Sequence, residues 1–140
     1  MVIDATAALS AYLLADAPLK ALVGTRIYTP RLPKNYTAAT AAISFRANGA
    51  MDPDRLFAPG AGAGKIAQGF AFRCVSTTFL SAHAIYRALY DAMMAIDNTL
   101  AAGVLIYTAD EETGAQDIVD ADTGWPVVLG QFTVYFRNDA

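Results

Sequence analysis

Residues Ile66–Asp97 read IAQGFAFRCVSTTFLSAHAIYRALYDAMMAID, and the period of the apolar positions changes once, between Val75 and Thr78. Before the change, Phe70, Phe72 and Cys74 fall on one face and Ala71, Arg73 and Val75 on the other, the pattern of a half-buried strand. After it, Ala82, Ile85, Tyr86, Leu89, Met93 and Ile96 recur at three- and four-residue steps. Residues 78–97 therefore form a helix whose apolar stripe is wide enough to cover a sheet. Each larger side chain contributes on the order of 1.5–3 kcal/mol when buried, so this helix is expected to be the main lid on the core.

The flanking sequence fills in the rest. Asp4 is placed to cap a first helix with Ala5, Leu9, Tyr12 and Leu13 on one face, and Pro18 breaks it. PLKALVG (18–24) reads as a short turn of helix, started by Pro18 and stopped by Gly24. The two prolines of RIYTPRLP (26–33) make it an extended, edge-like segment. AAISFRA (41–47) alternates as a strand, as do GVLIYTAD (103–110) and PVVLGQFTVYFR (126–137). In the last, Val128, Phe132, Val134 and Phe136 oppose Gln131, Thr133, Tyr135 and Arg137. The acidic EETGAQDIVDADTGW (111–125) reads as turns. Direct connections between strands predict an α+β fold: an antiparallel four-stranded sheet, two main helices packed on one face, and a long hairpin arm. The other face, with Arg46, Gln131, Thr133 and Tyr135, is polar to mixed.

The chain has 140 residues, of which 55% are hydrophobic and 16% charged. That fits one domain, residues 1–140, with the arm at about 48–65. The formal net charge is −3 and no Lys or Arg cluster appears, which argues against a grip on nucleic acid. Cys74 is the single cysteine, so no intrachain disulfide forms, and its alternation with Phe70 and Phe72 marks it as buried. AALSAYLLADA (7–17) is apolar and ends in A-x-A, yet no Lys or Arg precedes it. Asp4 precedes this stretch, where a positive n-region would stand, and only Asp16 falls inside it. A signal peptide is therefore not expected, nor a membrane span, and the protein reads as soluble and intracellular when made.

FAPGAGAGKIAQ (57–68) looks like a phosphate cradle and fails the tests for one. A Walker loop needs a glycine where Pro59 stands and a hydroxyl where Ile66 stands, to hold magnesium. Gly62-Ala63-Gly64-Lys65-Ile66-Ala67 satisfies G-x-G-x-x-A, but it leads into a strand, so no helix N-terminus meets a pyrophosphate. A flexible arm is the better reading. His83 is the only histidine and sits beside the buried stripe as a helix-surface residue. The acids Asp110, Glu111, Glu112, Asp117, Asp120 and Asp122 lack the spacing of a calcium loop, and no serine sits in G-x-S-x-G. No catalytic, metal or cofactor-binding residues are assigned, and an enzyme is not expected. Trp125, beside Pro126, is expected to anchor the core.

LLADAPLKALVGTRIYTPRLP (13–33), followed by a strand and then FAFRCVSTTFLSAHAIYRALYDAM (70–93) with its A-x-x-x-Y-R-A-L, resembles the tail-completion or tail-terminator proteins of long-tailed phages and gene-transfer particles. The resemblance implies a small α+β sheet with two helices and a structural role. Such proteins assemble as a ring, typically hexameric, that caps the tail tube and presents it to the head connector. The implied partners are other copies of the chain, the tail tube protein and a head-completion or connector protein, and DNA passes through the lumen without specific binding. The implied location is the head-proximal end of the virion tail, with the host cytoplasm during assembly. In that setting the arm is expected to contact a neighbour or the tube through Met51, Arg55, Phe57, Gly60, Gly62, Gly64 and Lys65. The six acids between Asp110 and Asp122 are expected on the lumen or an axial face. A neck or head-closure ring is the alternative of the same class, and a small-ligand module built on the glycine loop the alternative of another.

Overall fold

The computed structural model describes residues 4–34, 36, 40–54, 65–121 and 123–137, with the backbone alone for 50–54. Three helices open or interrupt the chain: α1 (Ala5–Leu14), α2 (Ala17–Val23) and α3 (Phe79–Met94). Each begins on a side-chain cap that satisfies an otherwise unpaired N–H. Asp4 Oδ1 accepts from Ala7 N at 2.9 Å, Asp16 Oδ2 from Leu19 N at 3.2 Å, and Thr78 Oγ1 from Ser81 N at 3.1 Å. Gly24 ends α2 at φ +60°, a backbone state open to glycine and strained for other residues.

The strands are β1 (Ile27–Tyr28), β2 (Ala42–Asp54), β3 (Lys65–Val75), β4 (Thr99–Ala101), β5 (Val104–Val119) and β6 (Pro126–Arg137). They form one sheet in the order β1-β2-β3-β6-β5-β4, curled into a half-barrel. All neighbours are antiparallel except β1 and β2, which run parallel. The expected antiparallel four-stranded sheet with two helices is thus corrected to a six-stranded mixed sheet with three helices, mostly β. The two added strands are two and three residues long, too short to show an alternation, and they exist because a neighbouring strand supplies their partners.

Two longer misreadings share one cause. Residues 111–119 were expected as turns, yet they continue β5 along β6 from Asp110 opposite Thr133 to Val119 opposite Pro126. Asp, Glu and Gly are poor strand formers in isolation, but an existing strand edge outweighs that preference. The misfit surfaces as three register shifts, at Ile106/Thr108, Glu111/Thr113 and Thr113/Gln116. Likewise β2 runs through the proline- and glycine-bearing stretch to Asp54, with a shift between Asn48 and Asp52. The hairpin strands therefore reach Asp54 and Lys65, and the remainder of the expected arm, 55–64, lies outside the described residues.

The core lies between the helices and one sheet face. Ile43 and Phe45 of β2, Phe70, Phe72 and Cys74 of β3, and Val128, Phe132, Val134 and Phe136 of β6 are all buried there. So are all six stripe residues anticipated on the lid helix. Tyr12 Oη donates to the Ala92 carbonyl oxygen at 2.6 Å, tying α1 to α3. A smaller cluster sits on the opposite face, where Val75 and Val127 are covered by Leu32, Tyr36, Ile118, Trp125 and Leu129. Trp125 belongs to that cluster, edge-on to Tyr36 at 5.5 Å, and not to the main core.

Gly130 faces α3, and a Cβ added there would overlap the Tyr86 ring, approaching Oη at 2.8 Å and Cζ at 2.9 Å. Gly130→Ala is expected to cost about 1–3 kcal/mol as an overpacking change. Urea unfolding should show a lower midpoint at unchanged slope. Gln131→Ala, one residue along on the exposed face, should stay within about 0.5 kcal/mol of wild type.

Candidate functional site

Helix α3 projects His83 and Tyr86 across β6 onto β5. Antiparallel register decides what they meet. Glu111 stands opposite Phe132 and Asp117 opposite Val128, so both carboxylates emerge on the helix-covered face. Tyr86 Oη donates to Glu111 Oε2, and His83 Nε2 lies 2.5 Å from Asp117 Oδ1. Burial pushes the Tyr86 hydroxyl well above the usual tyrosine range, and the Glu111 hydrogen bond and charge add to it. The His83–Asp117 pair is half-exposed and becomes an ion pair when the imidazole is protonated. Together the two contacts clamp the lid helix to an outer strand.

The remaining acids go elsewhere. Asp110, opposite Thr133, is on the sheet face away from the helices. Glu112 borders a shallow cleft on that face with Asn48, Thr133 and Tyr135. Asp120 follows β5, its Oδ2 3.4 Å from Arg73 Nη2 and its Oδ1 accepting from Thr123 N at 3.3 Å. Asp122 lies outside the described residues. The five described acids thus belong to one side of the sheet but divide between its faces. Among the described residues, no group of three or more His, Cys, Asp or Glu side chains is gathered as a metal cradle. Cys74 is fully buried, and desolvation raises its thiol pKa far above the reactive range.

The arm residues divide similarly. Met51 is in β2, where only its backbone is described, and Lys65 opens β3 between Asp54 and Arg137. Arg55, Phe57, Gly60, Gly62 and Gly64 lie outside the described residues. A cleft of about 660 Å³ on the face away from the helices is lined by Arg31, Ser44, Arg46, Arg73, Asp120 and Gln131 among others. It combines three guanidinium groups, one of them paired with Asp120, with apolar side chains that include Leu32 and Leu129.

The sheet also carries two long edges. Strand β1 covers β2 at Ile43 and Ser44 alone, and β4 covers β5 at Val104–Ile106 alone. Beyond these, no strand among the described residues pairs with the outer side of β2 from Phe45 onward or of β5 from Thr108 onward. Sequence reasoning missed the Tyr86–Glu111 and His83–Asp117 contacts and both edges. The three-residue spacing of His83 and Tyr86 stands in the sequence, but their partners follow only from the β5–β6 register.

No family model and no curated protein matches the chain. A chain in the solved structure titled "Virion of native gene transfer agent (GTA) particle" does match in fold, with a TM-score of 0.66 and 20% sequence identity. The likeness covers 97% of this chain and 99% of that one, so the fold is shared end to end.

The Tyr86–Glu111 contact carries a pH signature. Tyr86 holds its proton more tightly when folded, so its contribution is complete below about pH 10, where tyrosine in the unfolded chain ionises. It is lost as pH rises from there toward the folded value. Tyr12 and Tyr36 are raised in the same direction, chiefly by burial. Wild-type unfolding free energy should therefore fall above about pH 10, and fall less steeply in Tyr86→Phe. At pH 7 that substitution should cost about 1 kcal/mol, since Glu111 is solvent-screened. Urea unfolding at a series of pH values measures both.

Proposed function

We propose that the chain is a structural virion protein, a subunit of a ring that caps the tail tube and joins it to the head connector. The observation that carries this reading is the end-to-end likeness to a chain of a gene transfer agent virion. The tail-terminator resemblance of residues 13–33 and 70–93 agrees with it. On this reading the protein is non-enzymatic and belongs to the head-proximal end of the tail.

A cyclic ring joins two different patches of the same chain, one on each side of every subunit. The sheet face opposite the helices is assigned to the lumen, where Asp110 and Glu112 offset the charge of Arg46 and Arg73 on the same face and weaken its hold on the DNA backbone. The hairpin from Met51 to Lys65 is assigned to a neighbouring subunit or the tube. A glycine-rich connection suits a segment that changes shape on docking.

Light scattering across a concentration series, with negative-stain images of the same fractions, should show rings of hexameric mass that bind tail tubes. A chain that stays monomeric and does not join tubes contradicts the proposal, and binding to portal-bearing heads alone points to a neck ring. Deletion of Pro59–Gly64 should leave the circular dichroism spectrum unchanged and weaken ring formation or tube capping. Full assembly by the deletion variant removes the role given to the arm.

A further inference from the structure

Charge along this chain is divided by position in the sheet. From Ala17 to Met51 the sequence carries Lys20, Arg26, Arg31, Lys34 and Arg46 and not one Asp or Glu. From Ala88 to Phe136 it carries Asp and Glu and not one Lys or Arg. The strand order places the first segment at the β1–β2 side and the second at the β5–β4 side. These are the sides that carry the two open edges: the open stretch of β2 bears Arg46 before Asp52 and Asp54 at its far end, whereas the open stretch of β5 bears Asp110, Glu111, Glu112 and Asp117 and no Lys or Arg. A net charge of −3 conceals the separation.

We infer that the β2 edge of one copy pairs with the β5 edge of the next, continuing the sheet from subunit to subunit. This rests on the ring reading above and specifies its contact. The Ile43 N–H points out of the sheet, donating to the Arg26 carbonyl oxygen at 3.0 Å. Backbone groups alternate sides along a strand, so Phe45 and Ala47 also direct their N–H and C=O outward, where no strand among the described residues pairs with them. On the other side, the Tyr107 carbonyl oxygen accepts from Asn98 N at 3.0 Å, and β4 offers β5 nothing beyond.

Direction is consistent as well. The order β2-β3-β6-β5 is antiparallel at every step, so β2 and β5 of one subunit run oppositely. Subunits related by rotation about an axis along the strands therefore bring β5 of one antiparallel to β2 of the next. Side chains match in the same arrangement. Arg46 pairs with Ala71 and Asp110 with Thr133, which places both on the face away from the helices. Glu112 borders the cleft on that face. Arg46, Asp110 and Glu112 are exposed within one subunit. Long open edges of this kind promote uncontrolled pairing unless a defined partner covers them, and opposite charge selects edge β5 over a second β2.

Charge reversal tests the pairing on the intact chain. Arg46→Glu, and Asp110→Lys combined with Glu112→Lys, should each yield folded monomers by light scattering under conditions where wild type forms rings. Circular dichroism should match wild type, because all three side chains are exposed. An equimolar mixture of the two variants should recover the ring, since every junction is then again between opposite charges. Rings formed by either variant alone, or a mixture that stays monomeric, overturn the edge pairing while leaving a ring by other contacts in place. A wild-type chain that is monomeric at every concentration overturns both.

Discussion

The register of three central strands is fixed by phenylalanine rings that touch across them. Phe45 of β2 stacks on Phe72 of β3 with centroids 5.3 Å apart, and Phe72 meets Phe132 of β6 edge-on at 5.5 Å. Phe70 adds contacts to Phe45 at 6.0 Å and to Phe136 at 6.4 Å. A slip of one residue in any of these strands would turn its whole set to the other face and replace it with Arg46, Arg73 or Gln131. No gradual adjustment connects the two arrangements. Gly130 completes the pattern, because the absence of a side chain opposite Phe72 leaves the gap that Tyr86 occupies. The lid helix is thus keyed to the sheet at one point and spread over it everywhere else.

The opposite face is built on different terms. Only its end is dry, where the chain following β1 lays Leu32 and Tyr36 against Val127 and Trp125. Tyr28, Tyr36 and Trp125 form a chain of edge contacts there, at 6.4 Å and 5.5 Å. Toward the other end the same face carries Asp110, Thr133 and Tyr135 and is open. A sheet covered along one face and capped at one end of the other leaves a polar surface and two edges for contact with other molecules.

The parts legible in the sequence were those whose apolar pattern completes itself within one segment. The α3 stripe, the alternation of β3 and the exact span of β6 all belong here, and so does the Asp4 cap. What stayed hidden depends on pairing. β1 and β4 hold too few residues to display a period, and the parallel β1–β2 contact has no local signature at all. The acids of 110–117 suggested solvated turns because their strand state is imposed by β6, and their division between faces depends on where the register shifts fall. The glycine run resembles a phosphate loop, and Pro59, Ile66 and the strand that follows argue against that reading from sequence alone; residues 55–64 lie outside the described residues. Charge separation across the sheet was written in the sequence, but it acquires meaning only when strand order assigns each segment to a side.

The burial of Cys74 has a practical consequence. Its sulfur stands near the C-terminal end of β3 within the main core, fully enclosed and with its thiol held protonated. Maleimide and methanethiosulfonate reagents need a thiolate within reach, and the native fold withholds it. The natural chain therefore serves as its own unlabelled background. A cysteine introduced at any exposed position becomes the sole reactive thiol, so fluorophores or spin labels can report distances within an assembly without first altering the core.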